Sequence, residues 1–161
     1  MLPVTPSQFR SSARFVLCAG FAAASLIGFN APLHAQADPG TAAAAKEPQA
    51  VVTPSGLVYR SLKDGTGSSP VATDTVKVHY RGTFLDGKEF DSSYKRNQPT
   101  EFPLNRVIKC WTEGVALMKV GGKAKLTCPA ALAYGERGAG STIAPNTTLQ
   151  FEIELLSIAG R

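Results

Sequence analysis

Chemistry on a substrate needs particular side chains in particular company, and here the usual company is thin. The chain has two histidines, His34 and His79. His34 lies in an N-terminal stretch that reads as a leader. His79 sits on the polar side of an alternating run, with no ligand-type residue at metal spacing. One histidine outside the leader leaves the serines and cysteines without a base, so nucleophile–histidine catalysis has no parts. The sequence also lacks a Walker-type phosphate loop. We therefore expect no metal and no cofactor. What remains is a set of rings, Tyr80, Phe90, Phe102, Trp111, Tyr134 and Phe151, with one carboxylate, Asp91, directly after Phe90. Such residues act by shape, by excluding water and through a few hydrogen bonds. The same rings would also serve as an ordinary core, and residue types alone do not separate the two.

Two features favour a cavity. Tyr134 lies in ALAYGERGAGSTIAPN, a glycine-rich stretch suited to a loop at a rim, and Asp91 puts a charge at the end of an apolar strand. The only tryptophan stands in VIKCW, residues 107–111, where strand-like sequence gives way to the helical pattern of TEGVALMKV. An indole at such a junction has a face to offer, and a cysteine stands beside it.

The elements that must position these residues begin after a leader. Residues 1–14 carry Arg10 and Arg14 and no acid. Residues 15–29 carry no charge, and APLHAQAD follows with small residues at Ala35 and Ala37. That order matches a secretory signal peptide over residues 1–37, cleaved near Ala37, with Ala35 as the neighbouring alternative. The apolar run falls short of the ~20 residues of a bilayer helix, so no stable membrane span is expected. A periplasmic or secreted chain follows. Removing Arg10 and Arg14 lowers the net charge from +5 to +3, and the remaining basic residues are scattered. No nucleic-acid partner is expected. Export also permits Cys110 and Cys128 to pair, although two separate buried thiols fit the same sequence.

Residues 38–52, DPGTAAAAKEPQAVV, show no apolar periodicity and read as a flexible Ala/Pro-rich linker. They are too short for a dimerising helical arm, which points to a monomer. From residue 53 to 161 the pattern is that of one domain. Residues 57–62 have strand character. Residues 75–84 alternate, with Val76, Val78, Tyr80, Gly82 and Phe84 on one face. A hairpin turn at Asp86 and Gly87 leads to a partner strand in KEFDSSY. Residues 121–128 and 148–156 alternate again. Ahead of these two runs lies one short helix over about 112–119, with Trp111, Val115 and Met118 on one face. The expected fold class is α+β, a curved antiparallel sheet or half-barrel wrapped around one short helix.

The segments VKVHYRGTFLDGKEFDSSYKRNQPTEFPL, VIKCWTEGVALMKVGGKAKLTCPAALAYGERG and APNTTLQFEIELL, in that order, resemble the FK506-binding (FKBP-type) family of peptidyl-prolyl cis–trans isomerases. The resemblance runs from about residue 55 to residue 158. It implies an apolar pocket between helix and sheet that takes X–Pro-containing polypeptides, with macrolides such as FK506 or rapamycin as inhibitors. Carried over by residue, it implies Trp111 as the pocket floor, with Tyr80, Phe90, Phe102 and Phe151 as walls. Val107 and Ile108 form the rim, with the Ile108 N–H donating to bound peptide. Tyr134 is implied as a hydroxyl donor, Asp91 as the polar group at the wall and Ile143 as a flap contact. Cys110 stands where relatives often have glycine, and a Cys110–Cys128 bridge would pin the floor to the sheet. The flap here carries Ser141 and Thr142 where some relatives are more apolar. Two functions are consistent with this reading: an isomerase acting on exported chains, or a non-catalytic chaperone or peptide-binding module.

Overall fold

A computed structural model describes residues 38–160; the leader expected over residues 1–37 lies outside them. Alternation builds the centre of the sheet. β3 (Thr75–Phe84) buries Val76, Val78, Tyr80 and Gly82. β7 (Leu149–Ile158) buries Leu149, Phe151, Ile153 and Leu155, and β6 (Lys123–Cys128) adds Ala124, Leu126 and Cys128. Antiparallel pairing sets Gly82 and Leu126 on either side of Phe151, and Tyr80 beside Ile153. One apolar face runs across all three strands because side chains alternate with a period of two.

Outward from this centre, β2 (Val58–Lys63) pairs with β6 and β1 (Ala50–Val52) pairs with β2. On the other side β3 takes both β4 (Glu89–Ser92) and β5 (Thr100–Pro103). The result is a seven-stranded antiparallel sheet, curved but not closed. β5 was not among the expected strands, because TEFP is too short to show a period.

Helix α2 (Lys109–Ala116) lies on the apolar face and buries Cys110, Trp111, Gly114 and Val115. It begins three residues before the expected start and stops at a C-cap on Leu117. The shift has two causes. Cys110 and Trp111 are buried only if the first turn already faces the sheet. The residues after Leu117 are needed for a turn, in which Gly122 N–H donates to Lys119 C=O and Gly121 has φ +85°. Gly114 lets the helix come close: a Cβ there would stand 2.6 Å from Leu126 Cδ1.

Residues 38–52, read from the sequence as a linker, instead form α1 (Pro39–Ala44) and β1, a second helix and a paired edge strand. Asp38 caps α1 through Gly40 N–H, with Pro39 in the first turn, and its carboxylate also accepts from the Thr148 hydroxyl. Gly40, Thr41 and Ala44 are buried. Glu47 accepts from Lys125 Nζ at 2.9 Å and from Arg60. Arg60 and Lys125 are cross-strand partners on the sheet face opposite α2, so this segment covers the outer face. Small residues do the packing and the charged partner lies 78 positions away, so no local periodicity betrays it.

Hydrogen bonds from Lys125 and then Arg60, with both positive charges, outweigh desolvation and hold the Glu47 carboxyl below its ordinary pKa. A depressed acid contributes stability that is complete above its unfolded value of about 4.3 and is lost as pH falls through the folded one. We expect Glu47→Gln to cost about 1 kcal/mol at pH 7. Hydrogen exchange should rise over residues 38–52 before it rises in β3 and β7. Lowering the pH through the depressed Glu47 value should erase the difference between variant and parent. Uniform exchange across the sheet would show that the segment is not held this way.

Candidate active site

Cys110 and Trp111, neighbours in sequence, join the first turn of α2 to the sheet in two different ways. Cys110 forms a disulfide with Cys128 of β6, with Cα atoms 5.7 Å apart and both residues fully buried. Trp111 packs against rings from three strands. Tyr80 of β3, Phe102 of β5 and Phe151 of β7 have centroids 5.2, 5.4 and 5.5 Å from the indole and stand at 79°, 84° and 89° to it. Perpendicular contact is the arrangement the ring quadrupoles favour. Phe90 of β4 meets Phe151 at 90° and 5.7 Å, and Phe84 meets Phe90 at 5.1 Å. Gly82 makes room for them: a Cβ there would lie 2.6 Å from Phe90 Cζ and 3.1 Å from Phe151 Cε1.

Trp111 is 4% exposed, while Phe90, Phe102, Val107 and Ile108 around it are half-buried. The Trp111 Nε1–H is buried without a hydrogen-bond partner among the described residues. Ile108 is the N-cap of α2, and its carbonyl accepts from Trp111 and Thr112 N–H. Tyr134 precedes a 3-10 turn (Gly135–Arg137) and is 39% exposed. Ile143 is folded in rather than offered outward. It is 5% exposed, packs in the core cluster and bridges to Ala139, whose N–H donates to Ile143 C=O at 2.8 Å.

Asp91 sits in a compact polar network at the edge of these rings. Tyr80 Oη–H donates to Asp91 Oδ2 at 2.5 Å, and Asp91 Oδ1 accepts from Arg96 Nη1 at 2.6 Å and Ser92 N–H at 2.8 Å. Arg96 Nη2 also donates to Tyr80 Oη at 2.8 Å, and its guanidinium lies 5.7 Å from the Tyr80 ring centroid. Burial pushes the Asp91 carboxyl up, but the Tyr80 and Arg96 hydrogen bonds, the Arg96 charge and Ser92 N–H more than offset it. Its pKa therefore lies below the ordinary value. The Tyr80 phenol is pushed up, first by burial and then by the carboxylate it bonds. Arg96 escaped the sequence reading. Its only trace there is a pair of cations, Lys95 and Arg96, a few residues beyond Asp91.

His79 is placed away from this cluster, on the outer face. It is stacked on Tyr94 at 4.7 Å, with Nδ1 3.0 Å from Ser93 Oγ. Among the described residues no group of three or more His, Cys, Asp or Glu is placed to hold a metal ion.

A profile described as FKBP-type peptidyl-prolyl cis-trans isomerase matches residues 67–156. The chain belongs to that family. The matched span holds every residue of the ring cluster and the Asp91 network, and leaves α1, β1 and β2 outside. An FKBP-type isomerase named FkpA from Aeromonas hydrophila is 57% identical over 117 residues, covering 73% of this chain and 43% of that protein. An FKBP-type 22 kDa isomerase of Escherichia coli is 55% identical over 106 residues, covering 66% of this chain and 52% of the relative. The chain thus spans about half the length of these relatives. Among solved structures, FkpA from Escherichia coli superposes with a TM-score of 0.71 at 46% identity, covering 74% of this chain and 57% of that one. An isomerase from Pseudomonas syringae pv. tomato superposes at 0.70 with 39% identity, covering 74% and 88%.

In this FKBP-type domain the disulfide closes a separation of 18 residues. A loop of that size limits the unfolded chain by about 3 kcal/mol. The Cys110→Ser/Cys128→Ser double variant should lose about that much in denaturant titration. The parent, incubated with reductant in denaturant and refolded, should match it. A stability difference near zero would show that the link does not hold the helix down.

Proposed function

We propose that the chain is an exported peptidyl-prolyl cis–trans isomerase that works without covalent chemistry, with Trp111 supporting the prolyl ring. The observation that supports this most is the indole at the start of α2, flanked by three perpendicular rings and a half-buried rim. Rotation about an X–Pro bond is opposed by amide resonance, with a barrier of about 18–20 kcal/mol. The twisted state loses that resonance, so its carbonyl is less charge-separated and less dependent on water. A dry ring-lined site favours it over either planar form, and only such differential binding accelerates the step. A thousandfold acceleration asks for about 4 kcal/mol.

In this reading the prolyl ring reaches the indole by parting Phe90, Phe102, Val107 and Ile108, since only 4% of Trp111 is open. Tyr134 orients the substrate carbonyl through its O–H, and Ile108 N–H donates to the peptide backbone. Ile143, already packed against the cluster, steadies the flap rather than gripping substrate. Asp91 stays ionised at neutral pH and positions Tyr80 with the help of Arg96. It is not a proton donor. Residues 1–37 direct export to the periplasm or beyond, and macrolides such as FK506 or rapamycin compete for the ring pocket. The described domain works as a monomer. Among the described residues no helix is long and apolar enough to cross a membrane.

A protease-coupled assay on a short X–Pro peptide should show acceleration. Tyr134→Phe should lose up to about tenfold in kcat/KM, the worth of one hydrogen bond of 0.5–1.5 kcal/mol. Because the Asp91 pKa is lowered, kcat/KM should be flat through neutral pH and fall only as pH drops through that depressed value. Trp111 is the sole tryptophan, so a macrolide or X–Pro peptide entering the site should change intrinsic fluorescence. No acceleration, together with binding of an unfolded chain, would turn the reading to a non-catalytic chaperone. The mature N-terminus, sequenced from exported protein, should be Asp38.

A further inference from the structure

A second cleft lies at the far end of α2 from Ile108. It has a volume of about 280 Å³ and is bounded by β2, by the loop after it and by the turn that follows α2. That is just under the ~300–1,000 Å³ of small-molecule pockets, a size for one or two side chains rather than a cofactor. Tyr59, Leu117 and Met118 supply its apolar surface, and Leu117 is 52% exposed. Lys63 and Lys119 flank it, and among the described residues neither is in an ion pair. The carboxylate in the cleft, Asp64, already accepts from Ser61 Oγ at 2.6 Å. The loop after β2 and the turn after α2 are tied together behind the cleft, because Gly67 N–H donates to Val120 C=O and Val120 N–H to Ser68 C=O, both at 3.1 Å.

An exposed leucine beside two unpaired cations suits an apolar side chain next to an acidic one. Ile108 and Leu117 bracket α2, nine positions apart. At 1.5 Å per residue that is about 14 Å. An extended chain covers it in about four residues at ~3.3 Å each. Lys109 and Leu117 are exposed, and between them half-buried Glu113 accepts from Ser55 Oγ at 2.7 Å, so such a chain runs along α2 beside that contact.

Resting on the isomerase reading above, we propose that this cleft is a second substrate subsite, which takes an apolar–acidic pair about four residues from the proline held at Trp111. It raises the affinity for extended chains and leaves the rotation step alone. Docking one apolar side chain and one exposed ion pair corresponds to roughly tenfold in KM.

The experiment compares a tetrapeptide X–Pro substrate with two longer ones that carry Leu-Asp four residues before or after the proline. One of the longer peptides should show about tenfold lower KM at unchanged kcat. Leu117→Ser and Lys119→Glu, both at exposed positions, should remove that gain and leave the tetrapeptide unaffected. A peptide with Leu-Lys in place of Leu-Asp should regain it on the Lys119→Glu variant. Equal KM for all three substrates, or a gain that survives both variants, would overturn the subsite. If the tetrapeptide is not isomerised at all, the isomerase reading fails and the subsite is read by fluorescence anisotropy of the labelled long peptides. Binding abolished by Lys119→Glu and restored by the charge swap would keep it, and no binding would end it.

Discussion

The structure turns on keeping one indole dry at the start of a helix too short to stand alone. An eight-residue helix is marginal in water, because nucleation costs more than so few hydrogen bonds return. Its place must therefore come from the sheet. Three perpendicular ring contacts to Trp111, each worth about 0.5–1.5 kcal/mol beyond area burial, grip the first turn from one side. The disulfide from Cys110 ties it covalently on the next residue. Gly114, one turn later, removes the Cβ that would hold helix and β6 apart. The same three devices fix where Ile108 N–H and the rim residues stand. Stability and site geometry are thus set by one contact region and cannot be tuned separately.

The charges near this region serve the same end. A carboxylate beside phenyl rings is costly unless it is paired and hydrogen-bonded. Asp91 meets that condition through Tyr80, Arg96 and Ser92, and Arg96 in turn lies against the Tyr80 ring. The network locks the phenol that forms one wall and keeps the acid ionised. A group held that firmly in one protonation state is poorly suited to proton transfer near neutrality. Geometry and electrostatics both suit the proposed role of the cluster, which is to act on conformation and solvation rather than on bonds.

The central sheet was legible because β3, β6 and β7 alternate over six to ten residues with one face buried, a period that survives any tertiary context. Of the ten positions carried over from the family resemblance, eight lie in the ring cluster, around it or in the Asp91 network, whereas Tyr134 is exposed and Ile143 is buried in the core. The missed parts share a physical cause. α1, β1 and β5 are three to six residues long, below the length at which a period can be counted. α1 is buried through glycine, threonine and alanine, which carry little hydrophobic signal. Its anchors Asp38 and Glu47 bond to residues 110 and 78 positions away. Arg96 was missed for a related reason: its meaning comes from the loop that folds it back over Tyr80.

That N-terminal segment also protects an edge of the open sheet. An open sheet has edges, and an unpaired edge invites other chains to pair with it. Without β1, the edge would be six-residue β2, whose backbone would face solvent beside the second cleft. β1 covers it with a strand only three residues long, preceded by Pro48 and by Gln49 at φ +64°. Short length and an adjacent proline are common ways to blunt an edge. The helix before β1 covers the outer face, and Glu47 ties the connection between them to Arg60 and Lys125. Packing at this edge, and part of that on the outer face, is therefore assigned to residues outside the family-matched span.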